Sequence, residues 1–334
     1  MANALVLVVP GLLAQPLRAL GSMRSLAMLA AYAGKPRVET GGLGKALLAA
    51  LGIDAATPVA PLALLGAGGD PGDDYVLRAD PVHLSADRDS GLRVQTIDDL
   101  SIADAAAIVR MLDRHFADDD LRFEAVRPDA WFARRREAVT IATTPPDAVA
   151  GRSVAESMPS GPESRIWRRW QNEIEMMLHE HAVNREREAR GVPPVNAVWF
   201  SGGGRLADVP ALPRTFVSAA PSRLGDLARG IARAAGSPAS NDDVASIVSR
   251  AHEAGRDACA IGVASGDVDA DELEKRALAP ALELLDAGSL AAVHVVADGN
   301  GTSLRWTAHR ARIWRRVALR LSRPTFAFPT ASDA

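Results

Sequence analysis

Cysteine and long apolar runs are nearly missing from this sequence of 334 residues. The single cysteine, Cys259, excludes an internal disulfide and a cysteine-based zinc site, as is usual in a reducing compartment. The apolar run Ala4–Val9 is too short to span a bilayer and follows no basic leader. A net charge of −3 gives no general attraction to nucleic acid or anionic lipid. The composition predicts a cytoplasmic protein with neither a membrane nor a nucleic-acid partner.

Apolar runs alternate with helical stripes along most of the chain, which predicts an α/β protein. Ala4–Val9 and Leu290–Ala297 read as buried strands, and a tight turn at 298–301 leads into a further strand. Alternating strands and helices after residue 215 predict a mainly parallel sheet with helices on both faces. The terminal hairpin adds an antiparallel edge.

Several helices carry recognisable start signals. Ser101 and Ser222 are expected N-caps, and Asn241 is expected to cap a helix over 241–254. The most regular stripe predicts one continuous helix from Glu163 to Arg190. Within it, His179 and His181 cannot share a metal ion, because side chains two positions apart on a helix point to different faces.

A glycine run follows a strand-like segment near residue 200. Gly202, Gly203 and Gly204 lie between Ser201 and Arg205. Glycines allow backbone N–H groups to approach an anion closely, and an arginine adds a bidentate charge, so a phosphate site is one reading. The alternative is a sharp turn whose backbone angles require glycine.

Candidate metal ligands cluster in one short segment. Asp80, His83, Asp87 and Asp89 are of ligand type, but their spacing matches no metal motif and aspartates beside proline and glycine also serve turns. The segments Trp167–Trp170 and Trp314–Arg316 combine indoles with arginines, as nucleic-acid stacking platforms do. Each lies in a predicted helix, where the tryptophan can face the core and the arginine the solvent.

One block resembles a known family. A helix segment, a Gly-x-Pro-Pro turn and an apolar strand resemble the archaeal-type, cofactor-independent phosphoglycerate mutases over about 145–205, with Ala182 and Val195 departing from the pattern. The positions that match in register are His181, Asn184, Arg187, Gly191, Pro194 and Asn196. The whole chain also resembles bacterial RpfE-type regulatory proteins.

The resemblance implies an alkaline-phosphatase-like α/β core over 1–70 and 197–334, with an inserted α+β substrate domain over 71–196. It also implies two divalent metal ions, such as Mn or Mg, which activate a serine nucleophile and neutralise the transferring phosphoryl group.

The sequence departs from the family at the expected metal ligands. The first strand ends in Val9-Pro10-Gly11 instead of an Asp-Gly motif, the segment Ala264–Asp269 contains no histidine, and the expected Asp-His pair becomes Asp298-Gly299. Two ions need several converging carboxylates and imidazoles. We therefore expect no metal cofactor and no mutase activity by the family mechanism.

Two functional hypotheses follow. In the first, the chain is a degenerate, regulatory homologue that keeps a cleft for a small phosphorylated metabolite. The expected cleft residues are Asn184, Arg187, Asn196, Gly202, Gly203, Gly204 and Arg205. In the second, it is an active metal-dependent phosphotransfer enzyme with a relocated site at Asp80, His83 and Asp87.

Overall fold

The computed structural model describes residues 4–87, 91–149, 157–255, 258–261, 269–299, 302–322 and 324–326. These residues form two compact units, one of Met1–Ala55 with Ala211–Ala334 and one of Ala56–Pro210. Asp89, residues 264–268 and the side chain of Asp87, which the sequence singled out, lie outside what the structure describes.

The first unit begins with two strands and three helices. In chain order these are β1 (Ala4–Val9), α1 (Leu17–Ser22), α2 (Arg24–Ala33), β2 (Arg37–Glu39) and α3 (Gly42–Ala50). A 3-10 turn, Leu12–Ala14, follows β1.

The second unit is α+β. Its elements are α4 (Ala60–Ala67), β3 (Tyr75–Asp87), β4 (Gly91–Thr96), α5 (Ile102–His115), β5 (Arg122–Arg127), β6 (Ala130–Arg135), α6 (Ser164–His179), α7 (Ala182–Ala189) and β7 (Ala197–Gly204). β3 is paired antiparallel with β4, β6 and β7, and β5 pairs with β6.

The chain then returns to the first unit. Its elements are β8 (Phe216–Ala219), α8 (Arg223–Ala234), β9 (Ala239–Ser240), α9 (Val244–Glu253), β10 (Ala258–Ile261), α10 (Ala270–Leu273), α11 (Ala279–Ala287), β11 (Ala292–Gly299), β12 (Thr302–His309) and α12 (Ile313–Ser322). None of the helices within the described ranges has the length and hydropathy needed to cross a bilayer.

The sheet of the first unit is mainly parallel. Its described strands run in the order β2-β12-β11-β1-β10-β8-β9, and the antiparallel pairs are β11–β12 and β12–β2. β1 is buried on both faces, because Leu5, Leu7 and Val9 join one core cluster while Val6 and Val8 are buried on the other side. The α/β class, the parallel sheet and the antiparallel terminal hairpin are confirmed.

The unit boundaries differ from the predicted ones. α4 precedes residue 71 and β7 follows residue 196, yet both pack in the second unit. The placement of β7 follows from its hydrogen bonds with β3, in which Ala197 opposes Val82 and Gly204 opposes Val76.

Two of the three predicted helix N-caps are confirmed. The Oγ atoms of Ser101 and Ser222 accept from the backbone N–H groups of Asp104 and Gly225, each at 3.0 Å. Asn241 is not the cap of α9; Asp243 is, since its carboxylate accepts from Ser246 N at 2.8 Å.

The predicted continuous helix over 163–190 is two helices, α6 and α7. His181 lies between them in an extended conformation and caps α7 by accepting from Val183 N at its Nδ1, at 3.2 Å. Burial lowers the pKa of His181 below its usual value of 6.5, and nearby Arg185 lowers it further, against a smaller opposite effect of Asp104. The resulting neutral imidazole can accept this hydrogen bond.

Candidate functional site

The carboxyl end of the first unit's sheet is where the family resemblance places the metal ligands. β1 and β11 are parallel neighbours, with Val9 opposite Ala297, so Pro10-Gly11 after β1 and Asp298-Gly299 at the end of β11 lie at the same edge. Gly11 adopts a left-handed conformation, with φ of 71°. Its N–H donates to Oδ1 of Asp298 at 2.6 Å. The surviving carboxylate therefore binds the backbone of the facing turn.

Gly299 stands where the resemblance implies a histidine, and the space beside it is filled. A Cβ atom at this position would lie 2.5 Å from both the N atom of Ala14 and the carbonyl carbon of Leu13. Leu12 and Leu13 are buried at 0% and 7% exposure. The Leu12–Ala14 turn thus occupies the room that an imidazole at 299 would need.

The remaining aspartate of the expected ligand set caps a helix. Oδ1 of Asp269 accepts from Asp271 N at 2.9 Å and from Glu272 N at 3.2 Å, at the start of α10. Across the described ranges, no group of three histidine, cysteine, aspartate or glutamate side chains could hold a metal ion. Among the described residues, the two surviving aspartates therefore bind backbone N–H groups, Asp298 at the strand edge and Asp269 as a helix cap.

Asn184, in the block that resembles the mutases, forms three internal hydrogen bonds. Its Nδ2 donates to the carbonyls of Leu178 and Val195, at 2.8 and 2.6 Å, and its Oδ1 accepts from Val195 N at 2.8 Å. Asn184 is 2% exposed. Its amide fixes the end of α6 to the segment before β7.

Two further side chains bind the same short segment, and a third, Asn196, binds β3 from within it. Arg187 donates from Nε to the carbonyl of Pro193 at 2.8 Å, and His83 Nδ1 lies 2.9 Å from the carbonyl of Pro194. Asn196 accepts from Leu84 N and donates to Leu84 O, at 2.7 and 2.8 Å. Together with Asn184, these contacts hold each of the four residues 193–196. We call this set of hydrogen bonds the 193–196 clamp.

The glycine run is not a loop after a strand. Gly202, Gly203 and Gly204 lie within β7, and Gly202 donates from its N to Thr143 Oγ1 at 3.2 Å. A side chain on any of the three would collide with neighbours. The colliding groups are the side chains of Val59 beside Gly202, Tyr75 and Leu77 beside Gly203, and Pro58 beside Gly204. The run therefore needs glycine for close packing. The expected sharp turn is wrong, because these residues form a strand.

Arg205 also has internal partners. Its two terminal nitrogens donate to the carbonyl oxygens of Asp73 and Arg136. The two carbonyls use two of the five N–H donors of this guanidinium and fix its position, and three donors remain.

The candidate metal residues Asp80 and His83 are not brought together. They are three positions apart on β3 and so point to opposite faces of the sheet. Asp80 is fully buried and accepts from Nε and Nη2 of Arg78 at 3.1 and 2.9 Å. His83 is in the 193–196 clamp.

The two tryptophan–arginine segments differ from each other. Trp167 and Trp170 are 0% and 1% exposed, so they face the core as expected and offer no stacking surface. Trp314 is 65% exposed, so the expectation that it faces the core is wrong. The reason is that Arg316 and Arg320 of the same helix, α12, bind Asp286.

Sequence reasoning missed three contributors to these sites. Asp99 accepts from Nη2 of Arg187 at 2.7 Å, Arg78 neutralises Asp80, and Leu13 closes the space beside Gly299. Only the Arg78–Asp80 pair had a sequence signal, because opposite charges two positions apart on a strand share one face. The other two are long-range contacts.

Replacing Asn184 by alanine is expected to lower the free energy of unfolding by about 2 kcal/mol, because buried groups of Leu178 and Val195 lose their partners. Equilibrium urea unfolding measures this loss. Replacing the exposed Glu180 by alanine serves as the control and should change stability by less than about 0.5 kcal/mol. A ligand-binding Asn184 would instead leave the stability of the unliganded protein unchanged.

Comparisons with known proteins give a partial likeness. No family model matches the chain. A segment of 71 residues is 32% identical to the 2,3-bisphosphoglycerate-independent phosphoglycerate mutase of Methanothrix thermoacetophila, covering 21% of this chain and 17% of that enzyme. A match of this length does not transfer the enzyme's activity.

Two solved structures are similar over most of the chain. The cofactor-independent phosphoglycerate mutase from Thermoplasma acidophilum has 16% identity and a TM-score of 0.45, over 92% of this chain and 90% of its own. The PH0037 protein from Pyrococcus horikoshii has 15% identity and a TM-score of 0.49, over 92% and 87%.

Proposed function

We propose that this chain is a non-catalytic relative of the archaeal-type, cofactor-independent phosphoglycerate mutases, with a regulatory role like that of the RpfE-type proteins it resembles. The observation that carries the proposal is the closed carboxyl edge between β1 and β11. There Gly11 binds Asp298, and the Leu12–Ala14 turn fills the space beside Gly299.

The physical argument concerns the donor set. Metal-assisted phosphoryl transfer needs ions that activate the nucleophile and neutralise the charge on the transferring group. At this edge the described side chains supply one carboxylate, which accepts a backbone N–H, and an apolar turn. Such an arrangement stabilises the strand ends, and one carboxylate is fewer than the several oxygen or nitrogen ligands that each divalent ion requires.

The block that resembles the mutases supports the same proposal. Its matching residues Asn184, Arg187 and Asn196 bind backbone atoms of the 193–196 clamp and of β3. A structural role explains why a chain without the metal ligands keeps them. A residual cleft for a phosphorylated metabolite stays a prediction, in which Arg205 would bind the anion with the donors that its two carbonyl partners leave.

The test is a mutase assay on the purified chain with 3-phosphoglycerate and either Mn²⁺ or Mg²⁺. We expect no turnover above the uncatalysed background, with the Methanothrix enzyme as the positive control. Metal analysis of the same preparation should find well below one ion per chain. Turnover that disappears on adding EDTA would show that the proposal is wrong.

The rival hypothesis is an active metal-dependent enzyme with a relocated site at Asp80, His83 and Asp87. It predicts two bound metal equivalents and thermal stabilisation by Mn²⁺. The opposite orientations of Asp80 and His83 on β3 oppose it.

A further inference from the structure

The last helix, α12, presents its apolar face to solvent. Ile313, Trp314, Val317 and Leu321 are 69%, 65%, 52% and 79% exposed, and together they form what we call the apolar stripe. Their spacing of i, i+1, i+4 and i+8 places them on one side of the helix. Of the seven large apolar side chains exposed within the described part of the chain, these are four.

The opposite face of α12 is anchored by arginines. Arg316 donates from Nη1 to the carbonyl of Asp286 at 2.6 Å, and Arg320 Nη2 lies 2.9 Å from its Oδ2. Arg315 donates from Nη2 to Ala31 O at 2.9 Å. Asp286 itself is 9% exposed. These contacts fix the helix in the orientation that exposes the apolar stripe.

The stripe is surrounded by positive charge. The segment from Arg310 to Ser322 contains five arginines and no acidic residue, in a chain whose net charge is −3. Arg312 and Arg315 are exposed, and within the described ranges neither forms an ion pair with a carboxylate. A surface complementary to this helix therefore needs an apolar layer to contact the apolar stripe and anionic groups to pair with the arginines.

We infer that α12 is a peripheral anchor that binds an anionic phospholipid surface, with the apolar stripe inserted at the headgroup level and the exposed Arg312 and Arg315 on the lipid phosphates. Preformed amphipathic helices with tryptophan on one face and arginine at the borders bind membranes in this way. The inference is independent of the proposed function, and it departs from the expectation of no membrane partner.

Two other occupants fit less well. A second copy of the chain would bring arginines against arginines, because α12 carries no acidic residue to pair with them. A helix of ten residues is about 15 Å long, which is too small by itself for the roughly 800 Å² per partner of a standard protein interface.

Tryptophan fluorescence gives a direct test with the full chain. Trp131, Trp167, Trp170, Trp199 and Trp306 are at most 4% exposed, so Trp314 is the indole that contacts solvent. Vesicles of equimolar phosphatidylserine and phosphatidylcholine should shift its emission to shorter wavelength and protect it from acrylamide. The protein should bind vesicles of phosphatidylcholine alone at least about tenfold more weakly than the anionic vesicles. Raising the salt concentration to about 0.5 M should weaken its binding to the anionic vesicles by a similar factor.

Variants separate the stripe from the rest of the surface. Val317→Asp with Leu321→Asp should weaken binding to the anionic vesicles about tenfold, measured by co-sedimentation. Met176→Asp is the matched control, because Met176 is 72% exposed on another helix, and it should bind like the parent. Trp314→Ser provides a second stripe variant if the double variant fails to fold.

Three outcomes would overturn the inference. The first is absence of binding to anionic vesicles at low salt, and the second is binding that the stripe variants leave unchanged. The third is a dimer in sedimentation analysis that the stripe variants dissociate, which would assign the stripe to a second copy.

Discussion

Asp80→Asn is expected to lower the free energy of unfolding by about 3–5 kcal/mol, because it removes the charge that faces a buried guanidinium. Asp80 is 0% exposed and Arg78 is 6% exposed, with Nη2 and Oδ1 2.9 Å apart. The guanidinium also lies over the ring of Phe132, at 5.4 Å from its centroid, and so has little access to water. Urea unfolding followed by tryptophan fluorescence measures the loss, since four of the six indoles belong to the second unit.

A double variant provides the control. Arg78→Met combined with Asp80→Leu removes both charges and keeps side-chain volume, so its loss should be much smaller than that of Asp80→Asn. A metal-ligand role predicts a different pattern, in which Asp80→Asn leaves the stability unchanged and abolishes stabilisation by Mn²⁺. That pattern would favour the relocated-site hypothesis.

Gly299→Ala is expected to destabilise the first unit by about 3 kcal/mol, the upper end of the usual cost of overpacking. The added methyl group would meet backbone atoms of Leu13 and Ala14 at 2.5 Å, and backbone cannot move aside as a flexible side chain can. Gly299→His should lose at least as much, because the collision is at Cβ. Thermal unfolding of both variants checks this expectation.

Gly21→Ala is the matched control. A Cβ at Gly21 meets nothing within 4 Å, and the residue is in α1 of the same unit, so the change should be neutral or stabilising by up to about 1 kcal/mol. If Gly299→His instead remained stable and bound Mn²⁺, the metal site would be latent, and the closed edge would not explain a loss of activity.

The parts of the fold that the sequence predicts well are those with local causes. β1 is an uninterrupted apolar run, and the hairpin of β11 and β12 follows from the turn signal Asp298-Gly-Asn-Gly301 in the sequence between two strand-like segments. Ser101 and Ser222 act on groups three residues away. In each case the determining contacts lie within a few residues.

Features that depend on distant partners were not predictable in the same way. The helical stripe continues through His181 in sequence, but the histidine turns out of the helix and caps the next one. Trp314 is a second example. The amphipathic spacing of α12 predicts an apolar and a charged face, but it does not determine which face packs against the rest of the unit. Asp286, on α11, determines that the arginine face is inward.

For the candidate site, the sequence identified the residues of the resembling block and the departures at the strand ends. It did not reveal that the side-chain amides of Asn184 and Asn196 form hydrogen bonds with backbone atoms. An asparagine in a motif is compatible with a ligand and with a backbone bridge, and only the distances distinguish the two.

The pairing of β1 has a consequence for synthesis of the chain on the ribosome. Its parallel neighbours β10 and β11 begin at Ala258 and Ala292, roughly 250 residues later, after the whole second unit. At about 5–20 residues per second, β1 waits on the order of 10–50 s for them, while the second unit has all its strands sooner. The apolar Ala4–Val9 segment therefore stays without its strand partners for most of synthesis, which makes it a candidate for chaperone binding.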